Sequence, residues 1–348
     1  MKKHIYLLLA LCLSVHSFAG EVTPPSQISV YWASVDGLSE VTLFNQLSTT
    51  TAVGFSSIGY KGLWAAYAIT DVYPEDSVNR AGEIWDMYSD CHFTTSQHGT
   101  YSNECDNFNR EHTVPQSWWG GGTSNQGCDI FQVLPTDGKV NGWRDNYPYG
   151  EVSTATKTSS NGCKLGASKL SGYSGTVFEP ADQYKGDLAR GILGAMVKWK
   201  GNWSQQEGSS TFNGTYTMAA HFGLTEYAVD LFMRWHRADP VSQKEIDRNN
   251  GIQQTQGNRN PFIDYPYLAE YIWGTRAGEV VDMSLLMPST DEEFVAGKSD
   301  GYRMSPSDIE TVPTEKQRAV NARKVLIENR LYIVIEEQMY DVTGARVR

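Results

Sequence analysis

Asn109-Arg110-Glu111-His112, followed over residues 129–149 by DIFQVLPTDGKVNGWRDNYPY, holds the densest chemistry in this chain. A carboxylate stands beside an imidazole and a basic side chain, and the carboxamide of Asn141 lies 29 residues beyond His112. Carboxylate and carboxamide oxygens suit a hard divalent cation such as Mg²⁺, which keeps several waters, and a neutral imidazole suits taking a proton from attacking water. These are the parts of a one-metal phosphodiester hydrolase. Thr136 sits between Pro135 and Asp137, which predicts Thr136 as N-cap of a short helix through Val140, Asn141 and Arg144 with an acid in its first turn. Asp137, Asn141 and Arg144 then share one helical face. Glu111 and His112 read as the end of a strand, where pleating sends neighbouring side chains to opposite faces, so reaching one phosphate calls for a bent backbone. Pro115 and the glycines at 120–122 are compatible with such a bend.

Two further blocks accompany this stretch in order: AGEIWDMYSD at 81–90 and QGNRNPFID at 256–264. Together the three resemble the secreted bacterial endonuclease I family, over roughly residues 31–273. The resemblance implies an α+β fold with a His-Me finger (ββα-metal) core embedded in a mixed helical domain. It implies that Glu111 and Asn141 bind Mg²⁺ or another divalent cation, that His112 is the general base, and that Arg144 clamps phosphate. Some relatives carry a separate clamping arginine between the His and the helix, but 120–128 has no basic residue, which leaves Arg144 or Arg110 for the task. The family also often shows a His where this chain has Phe131, which puts the support behind the site in question. The substrate implied is DNA, RNA or both, with little sequence specificity.

Lys2 and Lys3 precede a short apolar run at 5–15 and the small-x-small triplet Ser17-Phe18-Ala19, the pattern of a signal peptide spanning residues 1–19. The expected product is an exported, periplasmic or extracellular monomer with no membrane span. It keeps four cysteines, and sequence proximity favours Cys91 with Cys105 and Cys128 with Cys163 among the three pairings. A zinc site from Cys91, His92, His98 and Cys105 is the alternative; its two His otherwise read as structural or solvent-exposed.

The chain carries a net charge of −11, and losing Lys2 and Lys3 makes that about −13, which opposes nucleic acid in bulk. Between 141 and 203, however, eight Lys or Arg stand against five acids, enough for a modest basic face near Arg144, Lys185 and Arg190. Helical spacing recurs at Leu188, Ile192, Met196 and Trp199, and at Leu224, Ala228, Leu231 and Trp235. Ser242 with Glu245 reads as a capping box opening a helix that ends near Gly257, and His236 reads as structural, its cationic form suited to a helix C-terminus. The boundaries expected are a catalytic domain at 26–276, a linker at 277–321 and a β-hairpin module at 322–348. That module loosely resembles C-terminal sorting modules of secreted Bacteroidetes proteins; a strand pair that only packs is the other reading. Two other function classes stay open: a secreted carbohydrate hydrolase, which needs two facing carboxylates, and a noncatalytic nucleic-acid-binding protein descended from a nuclease.

Overall fold

The computed structural model describes residues 22–119, 121–201 and 221–303, and the backbone of three strands within 323–341. The proposed signal peptide lies outside the described residues. Helices α1 (Glu40–Ala52) and α2 (Gly59–Thr70) precede a two-stranded antiparallel ribbon of β1 (Phe108–His112) and β2 (Val133–Asp137), followed at once by helix α3 (Gly138–Arg144). In the ribbon Glu111 stands opposite Leu134 and His112 opposite Val133. All five residues of β2 are buried, because helices cover the ribbon. A strand buried on both faces shows no alternation, and β2 runs from apolar Val133 and Leu134 to buried Thr136 and Asp137.

The N-cap of α3 is Asp137, not Thr136. Asp137 Oδ1 accepts from Val140 N at 2.9 Å, and Oδ2 accepts from Cys105 N at 2.7 Å. Thr136 stays in the ladder opposite Asn109, one residue too early to cap. A carboxylate with two acceptors ties down the helix and the preceding loop together, which a single hydroxyl cannot do.

Strands β3 (Val152–Thr158), β4 (Lys164–Ser168) and β5 (Thr176–Glu179) form an antiparallel meander. Next come helices α4 (Lys185–Lys198), α5 (Glu226–Ala238) and α6 (Gln243–Gln256). The periodic positions face inward as read: Leu188, Ile192 and Met196 of α4 pack with Leu231 and Trp235 of α5 in one core. Both arms of the Ser242–Glu245 capping box are present, and Gly257 ends α6 at φ 90°, where a side chain would be strained. A second core joins Leu63 and Tyr67 of α2 to Phe108, Val133 and Ile252, so α2 and α6 hold the ribbon from behind.

Residues 277–302 are not a linker. Val281, Leu286, Met287 and Phe294 are buried there, Val281 exchanges backbone hydrogen bonds with Gly37 and Leu38, and the first compact unit runs to Tyr302. The Ser, Pro and acid content that suggests a linker belongs to caps such as Asp282 and Asp291. The second unit holds β6 (Arg323–Ile327), β7 (Arg330–Ile335) and β8 (Gln338–Asp341), a three-stranded meander, one strand more than a hairpin. Among the described residues no helix is long and apolar enough to cross a membrane.

Cys91 and Cys105 form a disulfide, which removes the zinc alternative at that pair. Cys128 and Cys163 are free and buried, so the second expected pairing is absent. Each is held apart by its own surroundings: the Cys128 thiol donates to Gly122 O, while Cys163 packs against Met87 and Ala181. His92 pairs with Glu83 at the surface, and His98 stacks on Trp64 with ring centroids 4.1 Å apart.

Candidate active site

A cavity of about 280 Å³ is lined by Asn109, Arg110, Glu111 and His112 of β1, Tyr60, Tyr101, and Asn141, Arg144, Asp145 and Asn146 around the end of α3. Four consecutive strand residues reach it from both faces, which the free edge of a two-stranded ribbon permits. Arg110 and His112 contact Tyr60 of α2, whereas Glu111 meets Arg144 of α3. The expected alternation therefore holds, and the strand end at His112 brings both faces to one opening.

Glu111 is 1% exposed, yet only Oε1 is engaged: it accepts from Arg144 Nη1 at 2.8 Å, from Tyr88 Oη at 3.0 Å and from Tyr149 Oη at 3.4 Å. Oε2 has no hydrogen-bond partner among the described residues. Burial pushes the Glu111 carboxyl up, and the Arg144 guanidinium with the two phenols opposes that. Burial also raises Tyr88 and Tyr149, so both remain protonated donors. The carboxamide of Asn141, half-buried and lining the same cavity, also makes no side-chain hydrogen bond among the described residues. Two unspent oxygen donors facing one cavity fit a hard cation that completes its shell with water.

His112 Nε2 lies 3.0 Å from Gly127 O. A carbonyl only accepts, so this contact assigns the proton to Nε2 and leaves Nδ1 as the basic nitrogen of the neutral ring. Nδ1 has no partner among the described residues. Burial lowers the imidazole pKa to about 4; the Gly127 contact opposes this, and the cations Arg144 and Arg110 reinforce it. The ring is neutral at neutral pH, the form a base requires.

The geometry places Arg144 as a brace for Glu111. It is 2% exposed, and four of its five N–H donors are spent on Glu111, on His112 O at 2.5 Å, on Thr113 O at 2.6 Å and on Tyr147 O at 3.1 Å. It positions the Glu111–His112 backbone and carboxylate, with one Nη2 N–H unspent. Arg110 is the other guanidinium at the cavity. It lies between the rings of Tyr60 (3.5 Å) and Trp64 (4.1 Å), donates from Nη1 to Tyr60 O at 2.7 Å, and keeps Nε without a partner.

Sequence reading missed Tyr88 and Tyr149 as supports. Both sit inside the quoted stretches, but nothing in their spacing reveals that they converge on Glu111. Phe131, where the resemblance leads one to expect a His, is a core residue, and the site's support comes from Gly127, Arg144 and the two tyrosines. Among the described residues the cations expected to form a basic face are mostly neutralised: Arg144, Lys164, Lys169, Lys185, Arg190 and Lys198, six of the eight counted between 141 and 203, each pair with an acid. Arg190, fully buried against Glu245, is farthest from a surface role. His236 is structural as read but neutral: burial first, and then Arg190, lower it to about 3. A larger cavity of about 680 Å³ includes Arg190, Arg237 and Glu270, but these charges are satisfied by protein partners, so size does not mark the site.

Residues 39–267 match the Endonuclease I family. The chain is 29% identical over 257 residues to an extracellular ribonuclease of Bacillus amyloliquefaciens, covering 72% of this chain and 81% of that protein. It is 28% identical over 265 residues to the extracellular ribonuclease of Bacillus subtilis (strain 168), covering 75% and 84%. An extracellular deoxyribonuclease of Aeromonas hydrophila is 28% identical over 171 residues, covering 44% and 64%. The family match contains the whole cavity, from Tyr60 through Asn146. With a paired carboxylate and neutral imidazole on a ribbon capped by a short helix, this chain is a member of the endonuclease I family.

Proposed function

We propose that this protein is an exported, Mg²⁺-dependent endonuclease that hydrolyses internal phosphodiester bonds of nucleic acid with little sequence specificity. Family membership makes it a phosphodiester-hydrolysing nuclease. The observation that carries the rest is the division of labour at β1: Glu111 has one oxygen spent and one unspent, and His112 is neutral with Nδ1 unpartnered.

Glu111 Oε2 and the Asn141 carboxamide would hold the cation, which when bound stabilises negative charge developing on the phosphoryl and leaving oxygens. His112 Nδ1 takes a proton from water as the water oxygen bonds to phosphorus. The bond from phosphorus to the leaving sugar oxygen breaks and solvent protonates the departing oxygen, giving a phosphate monoester and a hydroxyl, while His112 returns its proton to solvent. Gly127 O holds the ring through Nε2 and stabilises the imidazolium formed. Arg110, fixed between two rings, meets a non-bridging phosphate oxygen. Water as nucleophile needs no 2′-hydroxyl, so RNA and DNA are both substrates, in keeping with relatives named for each.

Cleavage of plasmid and of single-stranded RNA, with and without chelator, tests this reading. Activity should vanish in chelator and return with Mg²⁺, and His112→Ala should lower turnover roughly 10²- to 10⁴-fold while the domain stays folded. Full hydrolysis in verified metal-free buffer would overturn it.

A further inference from the structure

One half-exposed aromatic ring in the catalytic cavity has no part in the mechanism above. Tyr101 lines the cavity, and its ring lies against the backbone of α3, the helix that carries Asn141. A Cβ added at Gly138 would fall 2.2 Å from Tyr101 Cδ1, and one added at Gly142 would fall 3.0 Å from its hydroxyl oxygen. These two glycines, one helical turn apart, leave a seat that no side chain obstructs. The loop bearing Tyr101 is fastened by the Cys91–Cys105 disulfide, by Cys105 N to Asp137 Oδ2, and by Asp106 accepting from Ser102 N and Asn103 N. Tyr101 itself makes no ring contact and no side-chain hydrogen bond among the described residues. A ring held this firmly, yet unpartnered beside the reacting groups, is placed for an incoming group.

The charge balance says what kind of group. The chain carries −11, six of the eight cations between 141 and 203 are paired with acids, and Arg144 is buried. Phosphate attraction from this stretch therefore supplies little of the affinity, and other contacts must supply more. Stacking of a base on an aromatic ring does so without sequence preference, because every base has a π face. Inside a duplex those faces are covered by neighbouring bases, so a stacking ring takes an unstacked base from a single strand.

We propose that Tyr101 stacks on a nucleobase next to the scissile phosphate, which makes single-stranded nucleic acid the preferred substrate class. This rests on the nuclease reading of the same cavity. The test is steady-state cleavage, with Mg²⁺, of a single-stranded oligonucleotide, its duplex, and a fully abasic strand of the same length. Wild type should favour the single strand over the duplex. Tyr101→Ala should raise KM on the single strand roughly 5- to 150-fold with kcat largely kept, the range one stacked base supplies. Tyr101→Phe should restore most of the loss, and the gap between wild type and Tyr101→Ala should close on the abasic strand. Unchanged KM for a Tyr101→Ala protein that melts normally would overturn the stacking role. An equal loss on the abasic strand would also overturn it, by reducing Tyr101 to a support for α3. Failure of wild type to cleave any of the three would overturn the nuclease reading as well.

Discussion

Two arginines at one site separate by what surrounds them. Arg144 is buried and bonded to Glu111 and three carbonyls, so Arg144→Met would leave Glu111 as an unpaired buried carboxylate and remove a donor from each carbonyl; losing one partner of a buried pair costs roughly 3–5 kcal/mol. Arg110→Ala removes a ring-sandwiched cation, with a stability loss of no more than about 2 kcal/mol but a fall in kcat/KM of roughly 100-fold. Urea denaturation alongside cleavage kinetics checks both, and the reverse pattern would exchange their roles. His236 gives a pH prediction. Its folded pKa of about 3 lies below the ordinary 6.5, so above pH 6.5 both states are neutral and there is no penalty. As pH falls toward 3 the unfolded chain binds the proton first, and stability is lost progressively, on the order of 4 kcal/mol in all. His236→Gln, able to donate to Pro266 O and accept from Arg190, should flatten that part of the stability profile. Parallel wild-type and variant curves between pH 6.5 and 4 would refute the assignment.

At the scale of elements, the loop of residues 91–105 and helix α3 form one device. Asp137 caps the helix and holds the loop, and the disulfide closes the loop at a separation of 14 residues. Closing a loop of that size contributes about 3 kcal/mol in the chain-entropy picture. Cys91→Ser with Cys105→Ser should therefore lower unfolding free energy by about 2–3 kcal/mol, read by denaturant titration. Mass mapping of the exported protein should find this bridge and two free thiols, at Cys128 and Cys163. A bridge between Cys128 and Cys163 would contradict the fold around both.

Over the whole molecule, electrostatics constrain how substrate is bound. Most cations that composition offered as a binding face neutralise acids of the same chain, so few phosphates can be neutralised at once. Each phosphate contact contributes about −0.9 to the slope of log affinity against log salt on B-DNA, and the slope here should be shallower than roughly −4. Titration of the His112→Ala protein at fixed Mg²⁺ measures it without cleavage. A much steeper slope would require a basic track beyond the cations described.

The sequence by itself determined the family, the ribbon-and-helix core, the stretch that brings Glu111, His112 and Asn141 to one cavity, three main helices and the local Cys91–Cys105 bridge. Those features are written in nearest-neighbour terms: motif, helical period, capping box and short separation. Only the tertiary structure decided that Arg144 braces Glu111, that Tyr88 and Tyr149 join it, that Cys128 and Cys163 stay apart, and that residues 277–302 pack. The physical reason is burial. A charge, phenol or thiol has the same local spacing whether it faces water or a partner a hundred residues away, and desolvation then fixes what it does.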